Sequence, residues 1–166
     1  MATNADTHPS KGSIDYSVVE TDAPIHPNCR RLLDYWRERL KADGLMRRVD
    51  FNPLEMPSLM GGMFIVEPVD GGKDMRYRLV GTENEQRLGM KFTGRRFTEC
   101  YAPRMAAEQI AFHSRLIATR KPSCLRGNFV NVAAEHANFE AIYLPAQAGN
   151  GEPQIVGGVY DLAEQP

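Results

Sequence analysis

Hydrophobic periodicity along this chain changes type in a fixed order: an amphipathic helical stretch, two strands, one long helix, then three strands. The leading helix is expected from Asn28 to Asp43, and the first two strands near Met63 to Pro68 and Met75 to Val80. The long helix spans Pro103 to Thr119, and the last three strands lie near Ser123 to Val132, Phe139 to Pro145 and Gln154 to Tyr160. Two strands, a helical middle and three strands specify an α+β architecture, with a five-stranded antiparallel sheet cupped around its helices. Such a cup suits the sensing of a small molecule or a partner better than catalysis.

Local chemistry supports each element. Cys29, Leu32, Leu33, Trp36 and Leu40 recur at helical spacing, with Pro27 and Asn28 as the start signal and Gly44 as the stop. Asp70, Gly71 and Gly72 tolerate the backbone of a tight turn, so the first two strands form a hairpin. In its second strand Met75, Tyr77 and Leu79 alternate with Arg76 and Arg78. Thr82 with Glu85 reads as a capping box for a short helix to Leu88. Gly157 and Gly158, inside the last strand, imply close approach by another backbone or a ligand.

At 166 residues, 42% hydrophobic and 25% charged, the chain supports one domain with extensions. Residues 1–24 read as a flexible arm with at most a short extended piece at Tyr16 to Val19. Residues 25–48 hold the leading helix and a connector, 49–162 the sheet domain and 163–166 a tail. A net charge of −1 gives no field to attract nucleic acid or an anionic membrane. Seven basic against three acidic residues between Asn28 and Arg48 fit a solvated helix face with pairs such as Arg30 and Asp34. Cys29, Cys100 and Cys124 have no metal-ligand spacing and suit reduced thiols in the cytoplasm. No apolar run approaches the ~20 residues of a membrane span.

Several segments resemble the PAS sensory domains, in particular a compact bacterial subgroup that occurs as single domains. They are Leu33-Asp34-Tyr35-Trp36, Val49-Asp50-Phe51-Asn52-Pro53 with Leu59, Met63-Phe64-Ile65-Val66, Tyr77-Arg78-Leu79-Val80-Gly81-Thr82, and Leu88-Gly89 to Thr93-Gly94-Arg95. The resemblance covers about residues 30 to 162. It implies a five-stranded sheet with short helices and one long helix around a pocket, binding a small ligand, a cofactor or a partner protein. With no output segment after Pro166, it implies signalling to a partner in trans. It also implies a homodimer, in which Leu33, Trp36 and Leu40 of the leading helix form the contact.

The pocket wall is expected to contain Phe64, Tyr77, Phe97, Ile110, His113, Phe129 and Tyr143, with Asn128 as a further polar contact. His113 lies on the apolar stripe of the long helix. It serves either as a packed core residue or as the polar handle for a ligand. Some PAS domains hold haem through an imidazole near this helix, but haem is not the expectation here. Flavin chemistry is not expected either, since Phe97 stands where flavin-reactive relatives carry a cysteine. The chain has no Gly-x-Ser-x-Gly, phosphate-cradling glycine loop or HExxH, so no catalytic or metal residue is assigned. The enzyme-class rival is a cup-shaped isomerase or hydratase using His113.

Overall fold

A computed structural model describes residues 14–130 and 132–163. Its strands are β1 (Asp15–Thr21), β2 (Met46–Arg47), β3 (Met63–Val69), β4 (Asp74–Val80), β5 (Ser123–Val130), β6 (Asn138–Gln147) and β7 (Pro153–Asp161). They form one sheet in the order β1-β5-β6-β7-β3-β4, antiparallel throughout, and β2 adds a short parallel pairing to β6. The helices are α1 (Pro27–Glu38), α2 (Thr82–Leu88), α3 (Phe97–Cys100) and α4 (Pro103–Thr119). The five expected strands are β3 to β7.

β6 explains the layering. Residues 139–146 are all buried, so both faces of this strand are covered, as a run that is apolar apart from Glu140 demands. Phe139, Ala141 and Tyr143 enter one core with α3 and α4. Ile142, Leu144 and Ala146 enter a second core with Cys29, Leu32, Leu33 and Trp36 of α1. The molecule is therefore helix, sheet, helices, rather than an open cup.

α1 is shorter than its period suggests. His26, not Asn28, caps it, its Nδ1 accepting from the Asn28 backbone N–H at 3.0 Å, and Pro27 takes the first turn. The helix stops at Glu38, because the chain must reverse to lay Met46 beside Ala146. Gly44, at φ +81, belongs to that reversal. Asp34 meets Arg37, while Arg30 donates to the Pro24 carbonyl. The Trp36 indole N–H donates to the Pro145 carbonyl at 2.8 Å, tying α1 to β6.

The segment expected as an arm contains a full strand: every residue from Asp15 to Thr21 pairs with β5. Tyr16 and Thr21 are partly buried and the five other residues of β1 are exposed, so its apolar signal is diluted to a polar-looking run. Gly127 admits it, since a Cβ there would collide with the Ser17 carbonyl. In β4 a bulge opposite Ile65 and Val66 leaves Arg78 unpaired and reverses the alternation. Leu79 consequently faces solvent and Val80 takes the core position. Thr82 does not cap α2; Gly81 precedes the helix, and the Glu85 carboxylate accepts from the Phe92 N–H at 2.7 Å. Gly157 provides the close approach its position implies: a Cβ would come within 2.5 Å of the Phe64 ring.

Candidate functional site

Between the inner face of the sheet and the helices α2 to α4 lies a cavity of about 80 Å³. Aromatic residues make most of its wall, with Phe64, Tyr77, Phe92, Phe129, Phe139 and Tyr143 coming from strands and the α2–α3 connection. α4 turns His113 into it. The α4 side buries Ala106, His113 and Leu116, which fall on one face at the helical period.

His113 is 2% exposed. Its ring lies edge-on to Phe97, Phe112 and Tyr143, with centroids 5.0, 5.5 and 5.5 Å away. Burial drives its pKa from 6.5 down to about 4, so the imidazole is neutral at physiological pH. Nδ1 lies 2.8 Å from the Gln109 carbonyl, one turn back on α4. A carbonyl can only accept, so Nδ1 carries the ring proton and Nε2 is a bare acceptor. Nε2 is buried and has no hydrogen-bond partner.

Several of the other polar groups along the wall pair with one another, and the Tyr143 hydroxyl keeps its donor. Tyr77 and Tyr101 share a hydrogen bond of 2.5 Å, and the Gln109 amide donates to the Tyr16 hydroxyl. Burial raises the pKa of Tyr16 to about 12 and moves Tyr77, Tyr101 and Tyr143 well above the ordinary phenol value, so all four stay neutral. The Arg87 guanidinium, with its side chain 4% exposed, pairs with Asp161 at 2.8 Å and also donates to Asn84. Asn84 in turn donates to the Gly62 carbonyl at 2.7 Å. Among the described residues no carboxylate lines the cavity, which leaves the imidazole without an acid–base partner from them there.

Phe64, Tyr77, His113, Phe129 and Tyr143 are thus brought together on one wall. Phe97 is fully buried behind His113, and Ile110 packs against the same core without lining the cavity. Asn128 is exposed, on the opposite side of β5 from Phe129. Leu33 and Trp36 are enclosed in the core between α1 and the chain's own sheet, while Leu40 is 38% exposed. Sequence reasoning missed Ile14, just before β1, Tyr16 and Val18 of β1, Gln109 of α4, and Asn84 and Arg87 of α2. The signal for β1 was Gly127, a glycine inside a strand with no turn to make.

Among the described residues that line the cavity, His113 supplies an imidazole nitrogen of the kind that ligates a haem iron. A cavity of about 80 Å³ is roughly half the ~150 Å³ known to accept benzene, so a porphyrin does not fit this arrangement.

A family model described as a PAS domain matches residues 25–161. The chain belongs to the PAS domain family. This PAS domain is a module of the sensory and signalling type, and β1 precedes the matched range while building part of its cavity. No curated protein and no solved structure matches the chain. No helix among the described residues is long and apolar enough to cross a membrane.

Proposed function

We propose that this PAS domain is a non-catalytic sensor, which holds a small molecule in the cavity between α4 and the sheet and reports its presence to a signalling partner. The observation that carries the reading is the bare, buried Nε2 of His113, a residue that lines an aromatic-rich space. A purely structural histidine normally has both ring nitrogens satisfied, because an unpaired buried acceptor is destabilising. β6 offers the route outward: Tyr143 lines the cavity, while Pro145 and Glu140 on the same strand hold α1. This reading includes a homodimer made by the outer side of α1 and Leu40, since Leu33 and Trp36 are enclosed.

The test is to release small molecules from the purified protein under denaturing conditions and identify them by mass spectrometry. In parallel, the small-molecule fraction of a cell extract is titrated while the Tyr77 and Tyr143 ring resonances are followed. A released compound that restores the original resonances supports the proposal. No released compound, together with resonances unmoved by the extract, would refute it.

A further inference from the structure

The two edges of the sheet are finished differently. β4 forms one of them, and it is closed: a bulge interrupts its pairing opposite Ile65 and Val66, the Tyr77 N–H donates to the Arg95 carbonyl at 3.0 Å, and the Gly94 N–H donates to the Tyr77 carbonyl at 2.6 Å. β1 forms the other edge. All seven of its residues pair with β5 in unbroken register, and among the described residues nothing bonds to the backbone groups along its far side.

The devices that protect such an edge are missing from β1. It contains no proline, no bulge and no lysine, and Val18 and Val19 are 36% and 65% exposed. A row of unpaired N–H and C=O groups on an extended strand is a template for one more strand, whose main chain completes the ladder.

Charge decides whose strand that is. From Asp15 to Ile25 the chain carries Asp15, Glu20 and Asp22 and no lysine or arginine. Arg115 answers Glu20 at 2.9 Å, and Arg126, opposite Val19 in the register, is taken by Glu140. Asp15 and Asp22 have no ion pair among the described residues, and they bracket the strand. A second copy laid antiparallel along β1 would set acid against acid at both ends, so self-pairing is disfavoured.

We propose that the outer edge of β1 is a docking site for a partner protein, which adds an extended segment with lysine or arginine opposite Asp15 and apolar side chains opposite Val18 and Val19. The inference rests on the sensory reading only for what the partner does with the signal; the addition of a strand needs no ligand. Tyr16 and Val18 line the cavity from this same strand, so an added strand borders the cavity.

The probe is a short capped peptide in which valine and threonine alternate, with a lysine near each end. It is titrated into the full chain, with affinity read by NMR and hydrogen exchange of the amides from Asp15 to Thr21 followed in the same samples. Two controls accompany it: the same peptide with glutamate for lysine, and the lysine peptide with its backbone nitrogens methylated, which removes the ladder donors and keeps the charge. At saturation the lysine peptide should slow exchange of the β1 amides that point away from β5 by roughly tenfold or more, and it should bind roughly fivefold tighter than the glutamate peptide. In Asp15→Lys that preference should shrink or reverse, and the wild-type comparison decides the matter even if the variant does not fold. Equal binding by the methylated peptide would overturn strand addition. Equal binding by the glutamate peptide would overturn the basic class of partner. If the outward amides are already protected in the free chain, the edge is covered, by the chain itself where protection survives dilution and by a second copy where it fades, and either result removes the proposal. Failure of all three peptides to bind would also overturn it. None of these outcomes depends on the cavity's occupant, so the sensory reading stands or falls on its own test.

Discussion

Lowering the pH should destabilise this protein through His113 in a way that the carboxylates cannot mimic. In the unfolded chain the imidazole takes up a proton near 6.5; in the folded chain burial delays that until about 4. Between those values the unfolded state binds more protons, so stability is fully present above about pH 6.5 and is lost as pH falls toward 4. A difference of 2.5 units at ~1.4 kcal/mol each gives about 3 kcal/mol, a large part of a typical domain's ~5–15 kcal/mol. The groups that face the ring do not confuse the measurement. Tyr143 and the neighbouring Tyr77 and Tyr101 are held neutral far above this range. Glu20, lowered by Ser123 and Arg115, and the exposed Asp43, lowered by Arg47, weaken the fold at still lower pH in any variant. The assay is urea denaturation of wild type and His113→Phe at pH 7, 5.5 and 4.5. The wild type should lose more stability than the variant by about 2 kcal/mol or more by pH 4.5. Parallel losses in the two proteins would show that the imidazole charges without penalty, and the assignment of a dry, neutral ring would be wrong.

Glu140 is fully buried; its carboxylate accepts from the Ile25 and His26 backbone N–H groups at 3.0 and 2.8 Å and pairs with Arg126 at 3.2 Å. Glu140→Ala should cost about 3–5 kcal/mol by chemical denaturation, because it strands Arg126 and the start of α1; a loss below ~1 kcal/mol would mean water replaces the carboxylate. Trp36→Ala removes a buried indole and its bond to Pro145, and a similar loss of ~3–5 kcal/mol is expected in a thermal melt, with an unchanged melting temperature counting against the enclosed position. Gly127→Ala should displace β1 without unfolding the rest, read as lost hydrogen-exchange protection in residues 15–21 alone; intact protection there would contradict the collision with Ser17.

The elements with full periods were legible, and those without were not. β3 to β7 and α4 carry alternation, a mostly apolar run or a clear helical stripe, and their order already resembled the PAS arrangement. His113 was legible as an inward group because it sits on that stripe; its tautomer was not, since that depends on where the Gln109 carbonyl points. β1 was hidden because only one of its faces meets protein. Leu79 was misplaced because a bulge is a one-residue slip, which inverts every side chain beyond it and leaves no compositional mark. Leu33 and Trp36 showed that α1 covers something, but not whether the covered surface belongs to the same chain. β6 held that answer, being apolar on both faces. Arg87 carried no signal in the sequence, because its partner Asp161 lies 74 residues away.

The range matched by the family begins at residue 25, yet the cavity residues Tyr16 and Val18 lie on a strand that ends at Thr21, with Ile14 just before it. One side of the chamber is thus an interchangeable panel, attached to the frame along β5 and exchangeable without redrawing any other element. Redesigning the inward positions of that panel would retune what the chamber admits while His113, Tyr77 and Tyr143 stay as they are. For engineering, the cheapest place to alter selectivity in this protein is a short stretch that lies outside the family's recognised borders.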